Sequence, residues 1–312
     1  MIATTTHEIK TYSPEFLDEE VKLTQDFEKR LHVPEIYQTF RDETQVDNTK
    51  NFRENGVPNF PFIPTDHWYL FDEKDGMVGY IHAFPQKDTK RCSMSIVVTK
   101  EGHEKGGQIL FDTLLNSVKE RGYDTLVKNA TVDHQTELDF LKQFGFKKAK
   151  LRNLRAEVPI GNLKITKNDK YEIQSYDSKY REKIITDLYL PRGYKRQLLD
   201  AQFDNLEKMK ADNKLPSWVI ALENGEVVGQ SVGYNARPGL NHLIQFNTVT
   251  TNLEGDESLP LINAVYGSHL ENIPKETTHI EHVLFNQVLH LRPTYEKLGF
   301  KYLENHTYEK SI

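Results

Sequence analysis

An internal repeat is the feature of this sequence that most limits its possible folds. The only two tryptophans, Trp68 and Trp218, lie 150 residues apart. Each lies near the start of a segment of similar pattern, HWYLFDEKDGMVGYIHAF from His67 and SWVIALENGEVVGQSVGY from Ser217. Each segment has a strand, a turn that contains glycine and a second strand, which is the pattern of a β-hairpin. Because 312 residues are enough for two domains of ordinary size, the pattern predicts a duplicated domain.

Two further pairs of markers repeat at nearly the same offset. Gly79 and Gly229, near the start of the second hairpin strand, are again 150 residues apart. The helical patterns FLKQFGF and TYEKLGF both end on Gly-Phe, and their glycines, Gly145 and Gly299, are 154 residues apart. Three markers in one order at a nearly constant offset indicate two copies of one domain.

The segment Pro159–Lys170 separates the two copies, because it contains proline, glycine and a polar KNDK run. It divides the chain into residues 1–160 and 165–312. Helices are predicted at Glu15–Leu31 and Ile36–Asn55, before the first hairpin. The predicted elements of the second half include a helix at Arg196–Asp212 and strands at His242–Thr250 and His279–Phe285. Each half combines an antiparallel hairpin with a strand–helix–strand crossover. The predicted fold class is therefore α+β, with a twisted mixed sheet flanked by helices in each copy.

Composition excludes several classes of function. The formal net charge of −6 gives no basic field for nucleic acid. No apolar signal core begins the chain, and no run approaches the ~18 apolar residues of a membrane helix. Cys92 is the only cysteine, so no intramolecular disulfide can form, and its place beside an apolar strand predicts a buried, inert thiol. These features predict a soluble cytoplasmic protein without nucleic-acid or membrane partners.

The segment Ser93–Tyr123 predicts a strand, a glycine loop and a helix. Met94–Val98 is an apolar, β-branched run, and a polar stretch leads from it to Gly106 and Gly107. The first N–H groups of a helix have no intrahelical partner and carry about half a positive charge. A phosphate can bind there, and Lys105 would add a full charge. An ordinary strand–helix turn with two glycines is the alternative interpretation.

This order of elements resembles the GCN5-related N-acetyltransferase (GNAT) superfamily in a tandem, two-domain form. The resemblance covers nearly all of the chain and rests on order and spacing. It implies that acetyl-CoA lies in a V-shaped opening between the strand before the glycine loop and the strand after the helix. The pantetheine arm would then pair with Ile96, Val97 and Val98. The pyrophosphate would lie on the amides of His103, Glu104, Lys105, Gly106, Gly107 and Gln108.

The first loop matches the family pattern Arg/Gln-x-x-Gly-x-Gly/Ala in two possible registers. One register puts Gly107 on the last small position. The other puts Gly106 on the middle glycine and His103 on the basic position. Both keep one matching glycine and a cation near the phosphates, so the resemblance implies that the first copy holds the cofactor.

The corresponding loop of the second copy reads TTNLEGDESLP from Thr250. Three acids, Glu254, Asp256 and Glu257, replace the basic residues. Each pair of like charges at ~4 Å costs about 1 kcal/mol even when fully screened by water. We therefore expect the second copy not to bind coenzyme A, and an ordinary solvated acidic turn leads to the same expectation.

The catalytic candidates fall in different copies. The family often uses a tyrosine before Gly-Phe as the acid, and Tyr295 matches that position, whereas the first copy has Leu141 there. Asp133 and His134 follow the strand after the helix of the first copy, and His134 lies roughly where the family often has an asparagine. His134 and Tyr295 are the predicted catalytic residues, with ordinary structural roles as the alternative. No Cys/His cluster with metal-ligand spacing is present, so no metal is expected.

The leading hypothesis is an acetyl-CoA-dependent N-acetyltransferase in which a primary amine attacks the thioester directly. The acceptor would be a small-molecule amine or a protein amino group, and the first copy would hold the cofactor. A catalytically inactive coenzyme A-binding or interaction module is the alternative. A third possibility is a cleft shared by both copies, in which Tyr295 reaches a thioester held by the first copy.

Overall fold

The computed structural model describes residues 7–30, 49–50, 63–86, 89–132, 135–166, 170–236 and 242–312. The chain forms two compact units. Unit 1 comprises Met1–Leu151 together with Asn305–Ile312, and unit 2 comprises Arg152–Glu304. The division by packing therefore falls at Leu151, before the boundary segment Pro159–Lys170 that the repeat suggests.

The strands and the main helices of the described residues have the following bounds. The strands are β1 His7–Thr11, β2 His67–Asp72, β3 Gly76–Pro85, β4 Arg91–Met94, β5 Val98–Thr99, β6 Thr125–Thr131, β7 Lys147–Pro159, β8 Glu172–Ser175, β9 Ser217–Glu223, β10 Glu226–Asn235, β11 Leu243–Phe246, β12 Thr250–Thr251, β13 His279–Phe285 and β14 Leu303–Ser311. The main helices are α1 Leu17–Arg30, α2 Gly106–Glu120, α3 Gln135–Gln143, α4 Arg196–Ala211, α5 Leu259–Asn272 and α6 Arg292–Lys297. None of these helices is long and apolar enough to cross a membrane.

The sheet of unit 1 runs in the order β1–β2–β3–β4–β6–β14, with β5 beside β3. Only β4 and β6 pair in parallel; the other described pairs of this unit are antiparallel. The apolar face of α2 is buried against this sheet, where Leu110 and Leu114 pack with Leu70 and Leu126. Burial of that face is what holds the loop before α2 next to the parallel strands.

Unit 2 repeats this topology in the order β8–β9–β10–β11–β13–β7, with β12 beside β10. Among the described strands of this unit, only β11 and β13 pair in parallel. The register repeats as well, because Gly79 lies opposite Thr99 in unit 1 and Gly229 lies opposite Thr251 in unit 2. The predicted duplication of an α+β domain is confirmed at the level of individual residue pairs.

The last strand of each sheet comes from the other half of the sequence repeat. Residues Asn305–Ser311 of β14 pair with β6, and Thr307 Oγ1 donates to Asn129 Oδ1 at 2.9 Å. Residues Asn153–Pro159 of β7 pair with β13. The compact units therefore differ from the sequence halves by one strand each.

Two predicted strands are interrupted. The strand predicted over Met94–Val98 leaves the sheet at Ser95–Val97 before it pairs again as β5. The strand predicted over His242–Thr250 is interrupted in the same way at Asn247–Val249. A continuous apolar run does not distinguish a straight strand from a bulged one, which is why the sequence misses both breaks. The helix predicted at Ile36–Asn55 lies outside the described residues, apart from residues 49–50.

Candidate functional site

Each unit has an opening between its two parallel strands. In unit 1, β4 and β6 pair only from Arg91–Thr125 to Ser93–Val127. Beyond that point the Ser95 amide donates to the His82 carbonyl at 2.9 Å, so the chain turns towards β3 and away from β6. The result is the V-shaped opening that the sequence resemblance implies.

Unit 2 opens at the equivalent place. Its parallel pairing ends at Phe246 and His282, and Asn247–Val249 then turns towards β10. The Asn247 amide donates to the Val232 carbonyl at 3.0 Å, as Ser95 does to His82 in unit 1. Two openings of the same construction are therefore present, one in each unit, and they differ in the side chains that line them.

The amides predicted to bind pyrophosphate in unit 1 are largely engaged by the loop itself. The Gly106, Gly107 and Gln108 amides donate to the carbonyls of His103, Glu104 and Lys105 at 2.9, 3.0 and 3.3 Å. The Glu104 carboxylate accepts from the Gly102 amide at 2.9 Å. Hydrogen bonds from its own backbone amide and from that of Gly102 lower the pKa of Glu104, so this carboxylate is ionised and occupies donors that a phosphate would need.

Packing accounts for one of the two glycines of the loop. A Cβ on Gly106 would lie 2.4 Å from Leu70 Cδ2, so any larger residue here would require Leu70 to move. A Cβ on Gly107 would lie 3.4 Å from Val97 Cγ1, close to an ordinary van der Waals contact. Gly106 thus allows close approach of the helix to the sheet, which is the ordinary role that the sequence left open.

The other predicted cofactor residues of unit 1 are partly engaged or exposed. His103 Nε2 lies 3.1 Å from Asp75 Oδ2. Gln108 Nε2 donates to Asp112 Oδ1 at 2.8 Å, and Lys105 is exposed at the start of α2. Val97 and Val98 are buried and Ile96 is partly buried, at the edge of the opening. Their assignment to acetyl-CoA stays a prediction, and His134 and Asp133 lie outside the described residues.

The opening of unit 2 leads into a cavity of about 420 Å³. Its wall combines the interrupted strand, the following acidic loop, the start of α5, the loop after residue 189 and the segment after β13. The lining residues are Arg192, Gly193, Tyr194, Val249, Thr251, Leu253, Glu254, Ser258, Ile262, Gln287, Val288, His290 and Leu291. The cavity wall therefore mixes apolar and polar side chains, and it includes one cation, one carboxylate and one imidazole.

Tyr295 lies directly behind this cavity. Its side chain is 0% exposed, and its hydroxyl accepts a hydrogen bond from the Val249 amide at 2.8 Å. Burial raises the pKa of Tyr295, while the nearby charge of Arg192 opposes the rise. The hydroxyl thus keeps its proton at neutral pH. Leu141, the equivalent residue of unit 1, is buried and carries no proton to donate.

The acidic loop of unit 2 forms a turn of 3₁₀ helix at Gly255–Ser258, just before α5. Of the three acids in this loop, Asp256 forms an ion pair with Lys297, which offsets its charge. Glu254 remains at the cavity wall, in the same cavity as Arg192. A ligand with a phosphate would meet both charges there.

Most residues of the cavity wall are not predicted from the sequence. Gln287, His290 and Leu291 follow β13, which is the position that Asp133 and His134 occupy after β6 in the first copy. Applying the same argument to the second copy would have found them. No sequence signal connects Arg192 to this site, because it lies 57 residues before Val249.

Comparison with known proteins finds relatives by structure but none by sequence. No protein-family model matches this chain, and no curated protein is similar to it in sequence. A tandem GNAT protein from the clavulanic acid biosynthesis pathway, solved without AcCoA, superposes with a TM-score of 0.66 at 10% identity, and the match covers 98% of each chain. The chain has the tandem GNAT fold. At this identity the likeness establishes the fold and leaves the chemistry to the residues described above.

Two further solved structures agree with the GNAT assignment. A GCN5-related N-acetyltransferase from Sphaerobacter thermophilus gives a TM-score of 0.64 at 11% identity, over 98% of this chain and 95% of that one. A GNAT-family acetyltransferase from Colwellia psychrerythraea gives 0.57 at 11% identity, over 98% and 99%. All three matches span both units, so the tandem arrangement and the α+β class predicted from the repeat are confirmed.

Proposed function

We propose that this protein is an acetyl-CoA-dependent N-acetyltransferase and that transfer takes place in the opening of unit 2. The observation that supports this placement is the hydrogen bond between Tyr295 and the Val249 amide beside the 420 Å³ cavity. It holds a protonated acid directly behind the wall of this cavity. Unit 1 has Leu141 in place of that acid.

Acetyl-CoA supplies a reactive acetyl thioester, and the residues of unit 2 fit the acyl end of that molecule. The Val249 amide donates to the Tyr295 hydroxyl at 2.8 Å and so fixes the position of that hydroxyl beside the cavity. As an amine attacks the acetyl carbon, Tyr295 donates its proton to the sulfur when the C–S bond breaks. The cavity wall keeps bulk water away from the thioester, which favours the amine over hydrolysis.

The attacking amine must lose a proton, since only about one Lys-like amine in a thousand is neutral at pH 7. Glu254 and His290 are the titratable side chains of the cavity wall that can accept this proton, directly or through water. The acceptor is a small-molecule amine or a protein amino group. The amine proton leaves through these groups, and Tyr295 regains its proton from solvent after the product departs.

The phosphate end of acetyl-CoA fits less well. In unit 2 it would meet Glu254 as well as Arg192. In unit 1 the phosphates would have to displace the Glu104 carboxylate from the Gly102 amide. Two features still favour unit 1: the first turn of α2 contains no acid, and Lys105 is exposed at its start. The predicted cofactor site at His103–Gln108 is therefore the second candidate placement.

The test of the proposal is release of coenzyme A thiol from acetyl-CoA in the presence of a panel of amines. Cys92 is 0% exposed and adds no background to a thiol assay. Tyr295→Phe should lower kcat by ~10²-fold while the affinity for acetyl-CoA stays nearly unchanged. Tyr171→Phe is the matched control, because Tyr171 is a buried tyrosine of the same unit whose hydroxyl bonds to Lys170 and not to a residue of the cavity wall.

Calorimetry with coenzyme A separates the two placements. Loss of binding in Lys105→Glu and Gly107→Val, with none in Arg192→Gln, would move the cofactor to unit 1. Equal kcat in Tyr295→Phe and the wild type would refute the proposed acid.

The acids at both loops, Glu104 and Glu254, favour a second candidate function, a catalytically inactive coenzyme A-binding or interaction module. Binding of coenzyme A without turnover of any amine would support that module. Absence of both binding and turnover would exclude the acetyltransferase.

A further inference from the structure

Three potential metal ligands converge at the edge of unit 1. His7 lies on β1, Asp72 at the end of β2 and His103 in the loop before α2. The β1–β2 register places His7 directly opposite Asp72. One ligand atom from each of the three side chains lies within 4.8 Å of the other two. The sequence conceals this group, because its members are 65 and 31 residues apart.

Two atoms of the group are buried without a hydrogen-bond partner. Asp72 is 5% exposed; its Oδ1 accepts from the amides of Lys74 and Asp75 at 2.9 and 3.2 Å, whereas its Oδ2 has no donor. His7 Nε2 is also buried and without a partner. Buried polar atoms are nearly always satisfied, so two unsatisfied atoms on facing residues of one cluster indicate that something binds there.

A cation satisfies this group better than a proton does. Backbone hydrogen bonds from Lys74 and Asp75 lower the pKa of Asp72, so its carboxylate is ionised at neutral pH and offers a free lone pair. A neutral imidazole likewise offers one nitrogen lone pair. Carboxylate oxygen and imidazole nitrogen together are donors that borderline divalent metals prefer.

The second copy lacks this group although it has the same strand register. Glu172 of β8 lies opposite Leu222 of β9, at the positions of His7 and Asp72. Among the residues that the structure describes, His7, Asp72 and His103 form the only such cluster. The cluster is therefore a property of the residues of unit 1 and not a consequence of the fold.

We propose that His7, Asp72 and His103 form a binding site for Zn²⁺. Tetrahedral Zn²⁺ with bonds of about 2.1 Å needs ligand atoms ~3.4 Å apart, so the ligand atoms, now within 4.8 Å of one another, must draw together by roughly 1.4 Å at most. His103 sits on an exposed loop that can make this movement. Asp75, with Oδ2 at 3.1 Å from His103 Nε2, is placed to orient the imidazole. The bound ion would tie β1 and the β2–β3 hairpin to the loop before α2.

The experiment uses untagged, full-length protein, stripped with a chelator and titrated with Zn²⁺ against a chromophoric chelator. The wild type should bind one ion. His103→Ala and Asp72→Asn should weaken binding by more than 100-fold, and Asp75→Asn by about 10-fold, as expected for an orienting group. Glu73→Gln is the matched control: it removes an exposed carboxylate from the same turn and should bind Zn²⁺ like the wild type.

A second readout guards against variants that fail to fold. Zn²⁺ in excess should raise the melting temperature of the wild type and of Glu73→Gln, and leave that of His103→Ala unchanged. With cobalt(II) in place of Zn²⁺, the wild type should show a visible absorption spectrum typical of tetrahedral coordination. The His103→Ala variant should not show it. No Zn²⁺ binding by the wild type, or equal binding by the wild type and His103→Ala, would overturn the proposal.

Discussion

Two buried histidines should make unit 2 sensitive to acid. His269 and His282 are fully buried, and burial lowers the pKa of each to about 3. Each ring has one hydrogen bond, from Nδ1 to Ser217 Oγ at 2.7 Å for His269 and from Nδ1 to Tyr302 for His282. The Nε2 atom of each has no partner. A proton added there would be a buried charge with nothing to accept its hydrogen bond.

The size of the effect follows from the two pKa values. The unfolded histidine has a pKa near 6.5, above its folded value, so the unfolded state binds more protons and stability falls as pH decreases below about 6.5. From about pH 7.5 to about pH 5, each histidine should cost ~2 kcal/mol of unfolding free energy, and the two together ~4 kcal/mol. This is a large fraction of the ~5–15 kcal/mol that stabilises an ordinary domain.

The assay is urea unfolding as a function of pH, with Trp68→Phe as the background so that Trp218 alone reports on unit 2. His269→Asn keeps an acceptor or donor near the Nδ1 position and removes the titration. Its free energy of unfolding should therefore depend less on pH, with a slope lower by ~1.4 kcal/mol per pH unit between about pH 4 and 6. Carboxylates that titrate in the same range cancel between the variant and its background. Equal slopes in the two proteins would refute the argument.

Three further predictions concern unit 1. Gly106→Ala should lower the free energy of unfolding, measured by urea denaturation, by ~1–3 kcal/mol because the new Cβ meets Leu70. The control Gly107→Ala should change that free energy little. Cys92 should resist thiol reagents in the native protein and react fully in denaturant, since it is buried and burial raises its pKa to about 12; labelling of the native protein would contradict this. If the phosphates of coenzyme A lie on the loop before α2, Glu104→Gln should tighten binding about fivefold, because it removes one repulsive charge worth ~1 kcal/mol. An unchanged affinity in calorimetry would argue against that site.

The secondary structure follows the sequence closely where side-chain pattern decides it. The strand predicted at His279–Phe285 is observed with the same ends, and α4 ends one residue before the predicted Asp212. Alternation and helical spacing are local properties, so one sequence suffices to find them. Breaks such as Ser95–Val97 depend instead on pairing with β3, which local pattern does not contain.

The chemistry is harder to predict because it depends on distant residues. Gly106 matches a phosphate-loop glycine in sequence, yet the atom nearest its Cβ position belongs to Leu70, 36 residues earlier. Tyr295 is found from its place before Gly-Phe, but its contact with the Val249 amide comes only with the fold. Sequence thus identifies the residue types, and packing decides which of them meet.

The strand exchange between the sequence halves bears on how the site of unit 2 is built. Residues Asn153–Pro159 of β7 pair along the whole of β13, whose other edge carries the parallel pairing that ends at His282. Because β13 is hydrogen-bonded on that side through Phe285, it stays straight past the point where β11 leaves it. The opening therefore needs one strand to turn away and its neighbour to be held in place. A repeat unit cut at Pro159–Lys170 would lose β7 from this sheet, so the sequence copy by itself would lack the strand that keeps the cavity wall fixed.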